Sequence, residues 1–170
     1  MEDPVIVILT TILTVLGSIL GALVVLWVKE QREKNHILRD SIDSVISELE
    51  GIDKQLMETS GPPVSYNKDK EKFDILWTTH ASSSFESMIY SGSFRMLDTN
   101  SQNKITELYN YIKVGNTASL KLLELITTNN EITEKFILNI LNYGIMLSNI
   151  HLKIKELIPS AQEVLKNQRP

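Results

Sequence analysis

A chain of 170 residues with 17 basic and 21 acidic side chains carries a formal net charge of −4, which argues against nucleic acid as its main partner. It contains no cysteine, so disulfides, thiolate metal sites and cysteine nucleophiles are excluded. Its three histidines, His36, His80 and His151, stand far apart and lack the spacing of a zinc motif.

After a short tail, residues 1–4, the stretch 5–28 holds no charged side chain. As a helix rising about 1.5 Å per residue it would span roughly 36 Å, against a hydrocarbon core of about 30 Å. The pattern predicts a transmembrane helix over 5–28. Glu2 and Asp3 stand where a cleaved signal peptide needs basic residues, and the segment ends in bulky Leu26, Trp27 and Val28, so it reads as retained. Every Lys and Arg follows the span, led by Lys29, Arg32, Lys34 and Arg39. Positive-inside reasoning therefore predicts a single-pass protein of the cell membrane, with the N-terminus outside and the C-terminal domain cytoplasmic. Glu30 and Glu33 interrupt the basic residues, so these act as topology determinants and not as a polybasic lipid-binding motif.

Within the span, Thr10, Thr14, Gly17 and Gly21 fall within about 60° of one another on a helical projection, and Gly17 to Gly21 is a GxxxG match. Small faces let helix backbones approach closely, which makes this a candidate surface for homo-oligomer assembly in the lipid bilayer.

The domain, residues 29–170, carries all 17 basic and 19 acidic side chains, close to neutrality. No helix breaker occurs before Gly61-Pro62-Pro63, so the membrane helix is expected to continue to about residue 57. Leu38, Ile42, Val45, Leu49, Ile52 and Leu56 form a heptad-like, coiled-coil stripe, widened by Ile37 and Ile46 toward packing against several helices. Residues 59–69 read as a loop. A second helix is predicted over 70–91, with Phe73, Trp77, Ala81, Ser84 and Met88 on one face and Gly92 capping it at positive φ. Asp98 or Thr99 can cap a third helix over 99–127, Thr99 with Gln102 as a capping box. A fourth is expected over 131–158, with Pro159 kinking or ending it before a last segment, 159–167. Strand signals are absent. The predicted fold is all-α: an N-terminal transmembrane helix continuing into an up-down antiparallel four-helix bundle.

Pairing residues across tight turns places Gly115 about level with Gly144, and Gly51 about level with Trp77. A mid-helix glycine costs up to about 1 kcal/mol relative to alanine, so the expectation is a core layer in which the indole of Trp77 fills the space left by Gly51, Gly115 and Gly144. The rival is a small cavity lined by Asn116 and Ser119, which would suit ligand sensing.

No catalytic, cofactor-binding or metal site is predicted. Glu48 with Glu50, and Glu131 with Glu134, read as solvated carboxylates, and no inward Glu-x-x-His motif is present. Ser82-Ser83-Ser84 lacks the glycines of a nucleophile elbow and reads as small residues for close helix packing. His151, on an apolar helix face, reads as a packed boundary residue.

The acidic-flanked span, the basic helix after it, and the segments Tyr90-Ser91-Gly92-Ser93-Phe94-Arg95-Met96-Leu97 and Ile105-Thr106-Glu107-Leu108-Tyr109-Asn110-Tyr111-Ile112 resemble uncharacterised, single-span helical proteins of prokaryotes. The resemblance covers most of the chain in layout and implies no activity. The expected function is a non-enzymatic, membrane-anchored interaction or scaffold module, assembling through its span and presenting the bundle to an unknown protein partner. The alternative is a membrane-tethered ligand-sensing bundle. A pore or lysis protein is disfavoured, because one uncharged span offers little to line a pore.

Overall fold

The computed structural model describes the backbone of residues 4–58, 61–76, 79–129 and 132–170, with side chains from residue 11 onward. Among the described residues, four α-helices and one two-stranded antiparallel sheet follow in the order α1 (Pro4–Glu58), β1 (Val64–Asn67), β2 (Lys72–Ile75), α2 (Ser83–Tyr90), a 3₁₀ turn (Ser93–Met96), α3 (Thr99–Thr128) and α4 (Glu134–Asn167).

Helix α1 runs 55 residues without a break because no proline interrupts it after its first position. Its two halves have opposite surroundings. Residues 11–27 are all exposed, and none of this apolar stretch is covered by the rest of the chain. By length and composition α1 is long and apolar enough to cross a membrane. A charged stretch follows, with Lys34 Nζ 2.7 Å from Glu30 Oε1 and His36 Nδ1 2.8 Å from Asp40 Oδ2, pairs at the i,i+4 spacing that supports an exposed helix. From Leu38 onward Ile42, Val45, Leu49 and Ile52 are buried at spacings of three and four, so the same helix becomes a wall of the core.

The structure departs most from expectation between residues 61 and 82. The predicted loop 59–69 holds strand β1, and the stretch 70–91, predicted as one helix, holds β2 and then the short α2, with residues 77 and 78 outside the described ones. β1 pairs with β2 in the register Val64 to Ile75 and Tyr66 to Phe73. The turn between them is set locally: Asn67 Oδ1 accepts from the backbone N–H of Asp69 and Lys70, and Glu71 adopts a φ of 49°. Phe73 and Ile75 are half-buried, while Lys72 and Asp74 point to solvent, the period-two pattern of a strand with one covered face.

Gly92 follows α2 at φ 79°, a conformation that a Cβ would strain, and its N–H donates to the Ile89 carbonyl. Asp98 caps α3 by accepting from Ser101 N–H at 2.6 Å, while Gln102 Nε2 reaches back to the Leu97 carbonyl. Thr133 caps α4 by accepting from Phe136 N–H. α4 continues through Pro159 to Asn167.

Helix α3 packs along α4, and α1 contacts both α2 and α4, with β1 seated on α4. Ile42 and Leu49 of α1, Leu108 and Ile112 of α3, and Leu147 and Ile154 of α4 are wholly buried in one continuous cluster. Each such side chain contributes about 1.5–3 kcal/mol on burial.

Candidate functional site

Two polar centres tie the elements together. In the first, the Glu48 carboxylate of α1 accepts from the Tyr109 hydroxyl of α3 at 2.5 Å, from Ser84 N–H at 2.8 Å and from the Ser83 hydroxyl at 3.3 Å. Burial and the neighbouring carboxylate raise the Tyr109 pKa above its ordinary value, so the phenol stays a donor. Its ring stacks on Phe85 of α2 at 4.0 Å between centroids. Glu48 is therefore no solvated carboxylate, as its sequence context suggested, but the joint between α1, α2 and α3. Nearer the basic stretch of α1, Ser41 donates to Ser93, which lies 2.8 Å from the Ser91 hydroxyl, so the α1–α2 seam is lined by serines.

The second centre joins histidines that the sequence separates by seventy residues. His80, in the segment before α2, and His151, on α4, lie with ring centroids 5.7 Å apart. Asn116 of α3 holds the His80 backbone from both sides, its Oδ1 accepting from His80 N–H at 2.9 Å and its Nδ2 donating to the His80 carbonyl at 2.8 Å. Gln55 Oε1 of α1 lies 3.1 Å from His80 Nδ1. Burial lowers the His80 pKa; burial and the adjacent His80 push that of His151 down to about 4. Both rings are neutral at pH 7. Asn116 and Ser119, the residues of the alternative cavity, are both engaged: Asn116 with His80, and Ser119 with the Gly115 carbonyl of its own helix.

The expected core layer is not assembled among the described residues. Gly51 lies on the exposed face of α1, and a Cβ built there meets nothing within 4 Å. Gly144 is buried against β1, where a Cβ would stand 3.2 Å from Val64 Cβ; Gly115 is buried in α3. Trp77 lies outside the described residues. The small-residue face of the apolar run keeps its open aspect at Gly17 and Gly21, and the Ser18 hydroxyl folds back to the Thr14 carbonyl. The side chain of Thr10 lies outside the described ones. Lys29, Arg32, Lys34 and Arg39 are all exposed on the stretch of α1 that follows the apolar run.

The outer face of α4 is the feature that sequence reasoning missed. Residues 136–152 include no Asp, Glu, Lys or Arg, yet Leu138, Ile145 and Leu152 are 57%, 62% and 64% exposed. A surface helix ordinarily turns charged side chains to water. On one side of this ridge, β1 and α4 enclose an open groove of about 730 Å³ lined by Val64, Tyr66, Leu141 and Ser148, with Lys68 at its edge. On the other side, Tyr143 and Met146 are shared by two hollows against α3, one reaching Leu125 and Phe136 and one reaching Val114 and Lys121. Its signal in the sequence is the uncharged run itself, which is wider than the one buried face of α4 requires. Among the described residues no three His, Asp or Glu side chains gather as a metal site would require.

Comparison with known proteins found no matching family model, no matching curated protein and no matching solved structure.

Proposed function

We propose that this chain is a single-pass, membrane-anchored helical interaction module, non-enzymatic, whose N-terminus lies outside the cell membrane and whose domain is cytoplasmic. The observation that carries this reading is α1 itself: one uninterrupted helix, exposed and apolar over 11–27, and a wall of the core from Leu38 onward. An exposed apolar run of that length has a large cost in water and none in a bilayer. The basic residues after it orient it.

An up-down antiparallel arrangement of the four helices is supported by the cross-links between them. Ser84 at the start of α2 meets Glu48, whereas Ser93, just past its end, meets Ser41, so α2 returns along α1. Tyr109 meets Glu48, and Asn116 meets His80, itself beside Gln55, so α3 advances with α1. Arg169 pairs with Asp43, which brings the end of α4 back to the level where the core begins. The uncharged face of α4 is the surface offered to a protein partner.

The test is fractionation with topology mapping. Expressed protein should float with membrane vesicles, and a cysteine introduced beside Pro170 should resist an impermeant maleimide in intact cells and react after lysis. Labelling from outside would reverse the orientation; recovery in the soluble fraction would remove the anchor. The ligand-sensing alternative is favoured by the groove beside Gly144, and a small molecule retained through purification would support it.

A further inference from the structure

We propose that the outer face of α4 is where two copies of this chain pair, each ridge of Leu138, Ile145 and Leu152 meeting its own counterpart about a two-fold axis along the membrane normal. The inference rests on the membrane-anchored reading above. Leu138, Leu141, Ile145, Ser148 and Leu152 recur at spacings of three and four, an average of 3.5, the period at which two helices keep facing each other along their length. This row is separate from Ile140, Leu147 and Ile154, which are wholly buried in the copy's own core. α4 therefore carries two apolar seams, and only one of them is filled.

Charge selects the occupant. Between Lys135 and Lys153 the helix has no ionised side chain, so apposing the ridge to itself buries no charge, and the nearest charges on the same row, Glu134 and Lys155, stand exposed at its two ends. A charged partner would find only Lys68 to answer it within the groove lining. Asn142 and Asn149, exposed and flanking the ridge, supply amides that can bond across the axis. Anchoring fixes the polarity: two copies in one bilayer present α4 in the same direction, so the pairing is parallel and residue 145 meets residue 145. From Leu138 to Leu152 the ridge is about 21 Å long, a short seam beside the roughly 800 Å² per partner of a freely diffusing complex, so the bilayer's raised local concentration is part of the interaction.

The cysteine-free chain permits a direct test on full-length protein in vesicles. An Ile145→Cys variant treated with a short bis-maleimide should form covalent dimers on the order of tenfold more efficiently than Ile89→Cys, an exposed position on α2 that reports random collision. Adding Leu138→Glu and Leu152→Glu to the Ile145→Cys chain should reduce its crosslinking to the Ile89→Cys level with unchanged helicity, since both leucines are exposed. Equal crosslinking at the two positions, or crosslinking at 145 that survives the two glutamates, would overturn the pairing. Flotation of the same vesicles reads the anchor separately: floating protein without the 145 crosslink removes the α4 pairing and leaves the tether, whereas protein that fails to float removes the reading beneath both.

Discussion

Glu48 caps a helix to which it does not belong. The N-cap residue of α2, Ser82, makes no capping bond with its own side chain, which instead donates to Glu86. The carboxylate of α1 takes over that role, accepting from Ser84 N–H, where the positive end of the helix dipole favours an anion. Removing it leaves the Tyr109 hydroxyl and the Ser84 N–H without their acceptor, so Glu48→Ala is expected to lower unfolding free energy by about 2–3 kcal/mol and Tyr109→Phe by about 1 kcal/mol. Urea denaturation of the two variants checks both values; equal, negligible losses would mean that water replaces the carboxylate. The histidine pair gives the second residue-scale prediction. Each ring has a lowered pKa in the fold against an ordinary value of 6.5, so the unfolded chain binds protons more readily than the folded one. Their contribution to stability is then complete above pH 6.5 and is lost as pH falls toward about 4, where His151 titrates. Melting temperature followed across that window should fall more steeply for the native sequence than for His151→Gln, whose side chain cannot charge. Parallel curves would show that the pair does not govern acid sensitivity.

At the scale of elements, the long helices were legible and the hairpin was not, for reasons that particular residues make clear. Leu38, Ile42, Val45, Leu49 and Ile52 announce α1 because a single period of 3.6 accounts for all of them. Ser84 and Met88 keep that spacing on the inward face of α2, whereas Phe73 belongs to β2 and Ala81 precedes the helix, so the match of those two to the same period is a coincidence. Phe73 instead faces Tyr66 across a strand pair, with centroids 5.0 Å apart, and Phe136 of α4 edge-on at 5.9 Å. The competing evidence was local: Asn67 accepting from two N–H groups makes a turn, and Lys72-Phe73-Asp74-Ile75 alternates as a strand does. A hairpin in place of a tight helix–helix turn displaces the facing positions, so Gly51, expected in a core layer, stands in solvent. The two glycines now predict opposite outcomes. Gly51→Ala adds helix propensity in open space and should stabilise by up to about 1 kcal/mol. Gly144→Val forces Val64 away from α4 and should destabilise by about 1–3 kcal/mol. Thermal melts of the pair decide the matter, and a harmless Gly144→Val would mean that β1 does not seat on α4 as closely as 3.2 Å implies.

For the whole molecule, the consequential property is that the exposed apolar run and the domain share one helix. No loop intervenes between the exposed apolar run ending at Trp27 and the first buried residue, Leu38, and the intervening turns are held by their own i,i+4 pairs. A rigid rod transmits both height and rotation. Each added residue advances the rod by about 1.5 Å and turns the domain about 100° relative to the span. Two alanines inserted after Lys34 would therefore rotate the α4 ridge about 200° from its native bearing, whereas seven would return it to within about 20° while raising it roughly 10 Å. If assembly in the bilayer and pairing of α4 are coupled through α1, crosslinking at Ile145→Cys should be weakest with two inserted residues and recover with seven. Gly17→Ile together with Gly21→Ile, which roughens the small-residue face of the span, should lower crosslinking in the native-length and seven-residue chains alike. Crosslinking that is indifferent to insertion length would show that the helix between Trp27 and Leu38 acts as a swivel, and that the two halves of the molecule associate independently.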